Sequence, residues 1–155
     1  MSQGRTPLIA GNWKMNGGLD EVDGLAGDLA DRLAALGAAP AFDMAVCPPF
    51  PLLPIVAARI EESGLGLGAQ DCHGNQSGAH TGDVSAQLLA QVGCGYAIVG
   101  HSERRTDHKE TDAQVMEKAT AAQAAGMIAI VCVGETEAER DAGRAVEVVV
   151  GQVAG

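Results

Sequence analysis

Polar residues that could bind and transform a small anionic molecule follow directly after short apolar runs of this sequence. They are Asn12 with Lys14, Gln70 with Asp71, the segment His101 to Arg105, and Glu135. A lysine and an amide are suited to holding negative charge on a substrate, while a histidine and a carboxylate can move protons. Together these residue types predict a site for an anionic substrate with proton-transfer chemistry.

Each of these residues has an ordinary structural interpretation when it is taken alone. Lys14 is then a solvated surface lysine, and His101 is a hydrogen-bonded structural histidine. Glu135 is then a carboxylate at the start of a helix, where the helix dipole favours negative charge. Their common position after apolar runs is what favours the functional interpretation.

Other kinds of site find little support in the sequence. His73 and His80, with Cys72, Asp71 and Asp83, match no established zinc-ligand spacing, so we expect no metal site. The four cysteines are widely spaced, which is typical of buried thiols rather than of a redox pair. The glycine-rich nucleotide motifs, the serine-hydrolase elbow and the paired-histidine zinc motif are absent from the sequence.

Five short apolar runs are spaced along the chain. They cover residues Leu8 to Ala10, Met44 to Cys47, Leu65 to Ala69, Tyr96 to Val99 and Ile128 to Val133. Near-continuous apolar runs of this length are typical of strands that are buried on both faces, as in a parallel sheet. The runs therefore predict five parallel strands.

Amphipathic segments between these runs predict helices. In the first segment, apolar residues recur every three or four positions and share one face of a helix that ends at Gly37. These residues are Leu19, Val22, Leu25, Leu29, Leu33 and Leu36. The second helix opens within Pro49 to Pro54, since a first turn tolerates proline. The others are expected at Ser85 to Val92, at Ser102 to Ala125 in one or two parts, and at Thr136 to Val153.

The alternation of strands and helices predicts an α/β fold. Parallel strands joined by right-handed crossovers form either a doubly wound sheet or part of a β/α barrel. In both, the carboxyl ends of the strands share one face, where active sites of such folds lie. The polar loop from Asp71 to Val84 is longer than the other connections, and loops of this length are usually functional or disordered.

Composition limits the partners of this chain. Its 155 residues, 46% hydrophobic and 19% charged, are typical of one globular domain. The net charge of −10 and the scarcity of aromatic residues argue against a nucleic-acid partner. The sequence has no apolar stretch long enough for a membrane span, and its first residues lack the apolar core of a secretory signal. We therefore expect a cytoplasmic protein.

Four segments, in register from end to end of the chain, resemble the triosephosphate isomerase family. They are Ala10 to Gly17, Gly78 to Asp83, Ile98 to Arg105 and Cys132 to Glu135. The resemblance implies a TIM (β/α)8 barrel, of which residues 1–155 represent about five β/α units. It also implies interconversion of dihydroxyacetone phosphate and glyceraldehyde 3-phosphate through an enediol, in glycolysis and gluconeogenesis, without metal or cofactor.

The resemblance implies a role for each matching residue. Lys14 would bind the phosphate and the developing negative charge, and Asn12 would donate a hydrogen bond to a substrate oxygen. His101 would polarise the substrate carbonyl as a neutral ring, and Glu103 would pair with Lys14 and orient it. Glu135 would have a supporting role.

The long loop carries a further implication, which is a homodimer. Thr81, near the tip of the loop Asp71 to Val84, would reach the site of a second subunit, and Asp83 would form an ion pair across the interface. His80 replaces the aromatic residue that is usual in the family, and Asp83 replaces a glutamate. Both differences affect the expected dimer contact more than the chemistry.

Three interpretations of the whole follow. A complete barrel needs about 250 residues, and the family's catalytic base, its closing lid and the rest of its phosphate-binding backbone have no counterpart in this chain. The chain is therefore either the amino-terminal part of a triosephosphate isomerase, or an inactive fragment or dimerisation module. Another phosphate-binding barrel enzyme, such as an aldolase, would leave the matches at Asn12-Trp13-Lys14 and His101-Ser102-Glu103 unexplained.

Overall fold

A computed structural model describes residues 4–37 and 40–155 of the chain. Within these residues five strands form one parallel sheet. The strands are β1 (Leu8–Asn12), β2 (Asp43–Cys47), β3 (Gly66–Ala69), β4 (Tyr96–Val99) and β5 (Ile128–Val131). Their order in the sheet is the order of the chain, β1-β2-β3-β4-β5. A doubly wound sheet reverses its strand order at a switch point, so the observed order corresponds to an incomplete β/α barrel.

Helices follow the strands, as the alternating pattern predicts. They are α1 (Asp28–Ala34), α2 (Leu53–Arg59), α3 (Ala86–Gln91), α4 (Ser102–Asp107), α5 (Asp112–Ala124), α6 (Glu137–Asp141) and α7 (Ala145–Ala154). Short 3-10 turns cover Leu19–Glu21 and Phe50–Leu52. Among the described residues, no helix combines the length and the apolar character of a membrane span.

The first predicted helix is interrupted in the structure. A 3-10 turn and a π-helical segment (Asp23–Gly27) precede α1. Gly24 and Gly27 lie in the π-helical segment, and glycine has the weakest helix propensity after proline. A Cβ on Gly27 would lie 2.6 Å from the guanidinium group of Arg59, the last residue of α2, so that flexible side chain would have to move. The prediction of one continuous amphipathic face is therefore wrong in part, and Leu25 is exposed.

The last two predicted helical segments are each divided in two. For Ser102 to Ala125 this agrees with the expectation of one or two parts, and a capping box of Thr111 and Gln114 starts α5. The segment Thr136 to Val153 was expected to be one helix, but α6 ends before Gly143, which has a φ of +71°. Glycine adopts this left-handed conformation without steric cost, so it ends a helix readily.

The core lies between the sheet and the helices. Val46, Leu67 and Val99 contribute from the strands, and Val56 and Leu89 contribute from the helices. Such close-packed apolar contact is the main source of folding free energy. The core is therefore what holds the sheet edge at which the polar residues stand.

Apolar side chains are also exposed on the outermost elements of the described sheet. On the edge strands, Ile9 of β1 and Ile128 of β5 are both more than half exposed. On α7, Val146 and Val153 are exposed to a still greater extent. The edge strands of the five-stranded sheet are thus more exposed than its central strands β3 and β4, which are almost fully buried.

Replacing Leu89 by alanine tests this account of the core. Leu89 on α3 is 1% exposed, so Leu89→Ala leaves a cavity, and we expect the free energy of unfolding to fall by about 2–5 kcal/mol. Urea denaturation followed by circular dichroism measures this change. The matched control is the neighbouring Leu88→Ala, since Leu88 is 54% exposed and its loss should cost less than about 1 kcal/mol. Equal losses in the two variants would show that α3 is packed differently.

Candidate functional site

The carboxyl ends of the strands open into one cavity of about 710 Å³. Asn12 and Lys14 after β1, Gln70 after β3, and His101 and Glu103 after β4 line this cavity. The parallel sheet therefore brings together residues that the sequence analysis predicted to share one face. Glu135 is different: it lies outside the cavity lining and forms an ion pair with Arg140 at 2.7 Å.

Lys14 has an unusual backbone conformation. Its φ is +54°, in the left-handed region that a residue with a Cβ rarely adopts. The Lys14 backbone N–H donates to Asn12 Oδ1 at 2.8 Å. The Lys14 carbonyl accepts from Gln70 Nε2, also at 2.8 Å. The peptide groups on both sides of the Lys14 Cα are thus held by side chains from two strand ends.

The Lys14 side chain forms an ion pair with Glu103. Lys14 Nζ lies 2.8 Å from Glu103 Oε1, and both side chains are 52% exposed. The hydrogen bond from Lys14 and its positive charge lower the pKa of Glu103 below its ordinary value. An ion pair this exposed adds little to stability. Its main effect is to direct the ammonium group of Lys14 along the cavity wall.

His101 is the N-cap residue of α4. Its Nδ1 accepts a hydrogen bond from the Glu103 backbone N–H at 3.3 Å. An Nδ1 atom that accepts this bond carries no proton, so the proton of the neutral ring is on Nε2. The Glu103 carboxylate lies 3.4 Å from the same Nδ1 atom. Glu103 thus contacts both His101 and Lys14.

Beside the cavity lies a network of four charged side chains, of which Asp71 and Glu110 are buried and Arg104 and Lys118 are partly buried. Asp71 accepts from Lys118 Nζ at 2.8 Å and lies 3.0 Å from the Arg104 guanidinium. Glu110 binds Arg104 and Lys118 as well. Burial raises the pKa of Asp71 despite the hydrogen bond and charge of Lys118. Burial alone would also raise the pKa of Glu110, but the hydrogen bonds from Lys118 and Arg104 lower it overall.

Sequence reasoning missed this network. Asp71 and Arg104 follow predicted strands and were noticed, but Glu110 and Lys118 were not. Glu110 lies between two helices and Lys118 lies in the middle of α5, where a lone charge is typical of a solvated surface. Neither residue is adjacent to the end of a predicted strand, so the sequence carries no local signal that could have found them.

Arg105 joins the ends of the last two strands. Its Nε donates to the Gly100 carbonyl at 2.8 Å, and its Nη2 donates to the Cys132 carbonyl at 3.3 Å. Its Nη1 binds Asp112 at the start of α5. Gly100 has a φ of +67°, and a Cβ there would lie 2.7 Å from Val115, so the turn before His101 requires glycine.

The loop Asp71 to Val84 is closed at its base, where the His73 N–H donates to the Val84 carbonyl at 2.9 Å. His73 and His80 lie with their rings 4.0 Å apart, and Asp83 lies 3.8 Å from His73 Nε2. These three residues are close enough to consider as metal ligands. However, His73 Nδ1 accepts from the Asn75 backbone N–H at 2.9 Å, whereas a metal-bound histidine normally donates from its second nitrogen. Because Nδ1 accepts here instead of donating, the hydrogen bonding of His73 does not favour a metal site.

The family model described as triosephosphate isomerase matches residues 7–155. The chain belongs to the triosephosphate isomerase family. This confirms the resemblance that the four sequence segments indicated.

Individual relatives agree with this family assignment. The triosephosphate isomerase of Afipia carboxidovorans is 55% identical over 154 residues, which cover 96% of this chain and 58% of that protein. The triosephosphate isomerase of Caulobacter vibrioides is 56% identical over 150 residues, covering 95% and 57% respectively. The crystal structure of triosephosphate isomerase from Bartonella henselae matches with a TM-score of 0.85 and 39% identity, covering 97% of this chain and 61% of that one. The chain thus spans about three fifths of the length of these triosephosphate isomerases.

Replacing Lys118 tests the charged network beside this cavity. Lys118→Met removes one of the two cations that the buried carboxylates of Asp71 and Glu110 share, the other being Arg104, and we expect the free energy of unfolding at pH 7 to fall by up to about 3–5 kcal/mol. Urea denaturation measures the loss. Arg140→Met is the control, because the side chain of Arg140 is 74% exposed and its ion pair should contribute less than about 1 kcal/mol.

The loss should also depend on pH. The folded pKa of Glu110 is below its ordinary value of 4.5, so the stability due to its charge is present above pH 4.5 and disappears as the pH falls. The difference between the original protein and Lys118→Met should therefore shrink between pH 6 and pH 3. A difference that stays constant over this range would contradict the electrostatic explanation.

Proposed function

We propose that the whole protein containing this chain is a triosephosphate isomerase, and that the cavity forms the amino-terminal part of its active site. The observation that carries this proposal is the placement of Lys14 and His101 on one cavity, with Glu103 in contact with both. One cation and one ring with a proton on Nε2 suit a substrate that has both a phosphate and a carbonyl group. The family assignment supports triose phosphates as that substrate.

The proposed chemistry assigns a separate step to each side chain. The Lys14 ammonium binds the anionic substrate and stabilises the negative charge that develops when a carbon acid is deprotonated. Asn12 uses its Oδ1 to accept from the Lys14 backbone, which leaves its amide NH2 group to donate to a substrate oxygen. His101 Nε2–H donates to the carbonyl oxygen as it becomes the enediolate oxygen.

Proton abstraction needs a base. Of the carboxylates that line the cavity, Asp107 is exposed at the end of α4, and the other two are paired with cations. Glu103 binds Lys14, and Asp71 binds Lys118 and Arg104. The family resemblance implies that the base lies in a part of the barrel beyond the five β/α units of this chain. We therefore assign the activity to the whole polypeptide and place it in cytoplasmic glycolysis and gluconeogenesis. Residues 1–155 alone would then be an inactive fragment or dimerisation module.

Lys14→Met tests this assignment in the full-length protein that the reading frame through this sequence encodes. Loss of the charge should lower kcat/KM for glyceraldehyde 3-phosphate at least 100-fold, because one electrostatic contact to the transition state is worth about 2.7–4 kcal/mol. A coupled assay measures the rate. Lys109→Met is the matched control, since Lys109 is exposed and bonds only the Thr106 carbonyl among the described residues.

The outcomes separate the interpretations. A tenfold or smaller loss for Lys14→Met would contradict the proposed role of Lys14. An absence of isomerase activity in the full-length protein, or a stop codon directly after Gly155, would favour the module. Isomerase activity of residues 1–155 alone, comparable with that of a full-length relative, would show that the base is already present in this chain.

We also propose that the loop Asp71 to Val84 forms a homodimer contact. The loop is closed at its base by the bond from His73 to Val84, and it exposes Thr81 near its tip. A rigid loop that projects an exposed tip is suited to insertion between the elements of a second copy. Asp83 is half exposed and is thus accessible for an ion pair across such an interface.

Thr81→Arg tests the dimer contact in the full-length protein. A long charged side chain at the loop tip should prevent close approach of the two subunits, so we expect the mass measured by light scattering to halve. Thr120→Arg is the matched control, because Thr120 is an exposed threonine on α5, far from this loop in the sequence. A Thr81→Arg variant that keeps the mass of a dimer would overturn the proposed contact.

A further inference from the structure

Gln70 connects chain segments that follow three different strands. It follows β3, and its Nε2 donates to the Lys14 carbonyl at 2.8 Å and to the Cys47 carbonyl at 2.8 Å. Lys14 follows β1, and Cys47 ends β2. Both N–H groups of one amide nitrogen are therefore used to hold carbonyl groups near the cavity.

The hydrogen bond from Gln70 to the Lys14 carbonyl stabilises an unfavourable backbone conformation. A left-handed conformation is sterically unfavourable for a residue with a Cβ, so it persists only where surrounding contacts hold it. Asn12 holds the Lys14 N–H, and Gln70 holds the Lys14 carbonyl. Asn12 thus fixes the peptide group before the Lys14 Cα, and Gln70 fixes the peptide group after it.

The second bond of Gln70 makes the arrangement more rigid. The Cys47 carbonyl also accepts from the Trp13 N–H at 3.1 Å, so it receives donors from two segments. Cys47 is fully buried at the end of β2. The buried Cys47 carbonyl therefore holds both the Gln70 side chain and the backbone of Trp13, the residue before Lys14, in place.

Gln70 is itself anchored through the next residue. Asp71 is held by Lys118 of α5 and Arg104 of α4 in the charged network. Glu103, which receives the Lys14 ammonium, is adjacent to Arg104. The network thus fixes the backbone of Gln70 relative to Glu103, which binds the Lys14 ammonium group.

We propose that Gln70 is a positioning residue for Lys14, holding its left-handed backbone so that the ammonium group faces an anionic substrate in the cavity. This inference rests on the proposed function, because the role of Lys14 toward substrate is part of it. Gln70 acts only through the carbonyl of Lys14 and is assigned no contact with the substrate.

A double-mutant cycle in the full-length protein tests this proposal. Gln70→Met keeps the approximate volume of the side chain and removes both donors, and we expect kcat/KM for glyceraldehyde 3-phosphate to fall at least tenfold. In a Lys14→Met background, the same substitution should change kcat/KM less than twofold, because residues that act as a unit are not additive. The inhibition constant of inorganic phosphate, measured for the same four proteins, should follow the same pattern.

Two further variants complete the experiment. Gln91→Met is the matched control, since Gln91 is an exposed glutamine on α3 outside the cavity, and its kcat/KM should stay within twofold of the original. Gln70→Asn keeps the amide but withdraws it by one methylene group, so it cannot make both 2.8 Å contacts unchanged. It should lose activity in the same direction even if Gln70→Met does not fold.

The results distinguish failure of this proposal from failure of the proposed function. If Gln70→Met costs the same factor with and without Lys14, then Gln70 has a general structural role and the positioning proposal is wrong. If Gln70→Asn keeps kcat/KM within twofold, the proposal is also wrong. If Lys14→Met itself loses tenfold or less, the proposed role of Lys14 fails, and the positioning proposal fails with it.

Discussion

Parallel pairing of the five strands is the constraint on which the rest of this structure depends. Strands that run in the same direction all end at one edge, and the register from Leu8 opposite Asp43 to Val99 opposite Val131 sets how far each segment extends past that edge. Residues far apart in the sequence, such as Asn12 and His101, therefore meet at one cavity. A slip of one residue in a strand would turn its side chains to the opposite face and remove the following residue from the site.

Charged hydrogen bonds then fix the segments that the sheet only brings near each other. Asp71 and Glu110 share Lys118 and Arg104, so the start of the long loop, α4 and α5 cannot move independently. Removing these charges wholly or partly from water has a desolvation cost, and their mutual attraction offsets it only where the geometry is good. We interpret the network as a device that sets position more than stability, because its members adjoin Gln70 and Glu103.

The cavity wall combines this rigidity with strain at a single residue. Lys14 is held left-handed between Asn12 and Gln70, while its side chain is directed by Glu103. Glu103 also supplies the backbone N–H that places the His101 proton on Nε2. One short helix start thus holds the Lys14 ammonium group and the His101 ring, which follow separate strands, beside each other on one cavity wall.

The sequence by itself determined the elements whose signals are local. The apolar runs placed the five strands to within about two residues at each boundary, and the resemblance identified Lys14, Asn12, His101 and Glu103 as neighbours. Tertiary structure alone decided the position of Glu135 outside the cavity, the burial of Glu110 and the pairing of Lys118 with Asp71 and Glu110. A strand can be predicted because its apolar residues are adjacent in the sequence. The burial and pairing of a charged side chain depend instead on residues that are distant in the sequence and pack beside it in the fold. Lys118 and an exposed lysine have the same local pattern, and only the approach of Asp71, 47 positions away, makes the difference.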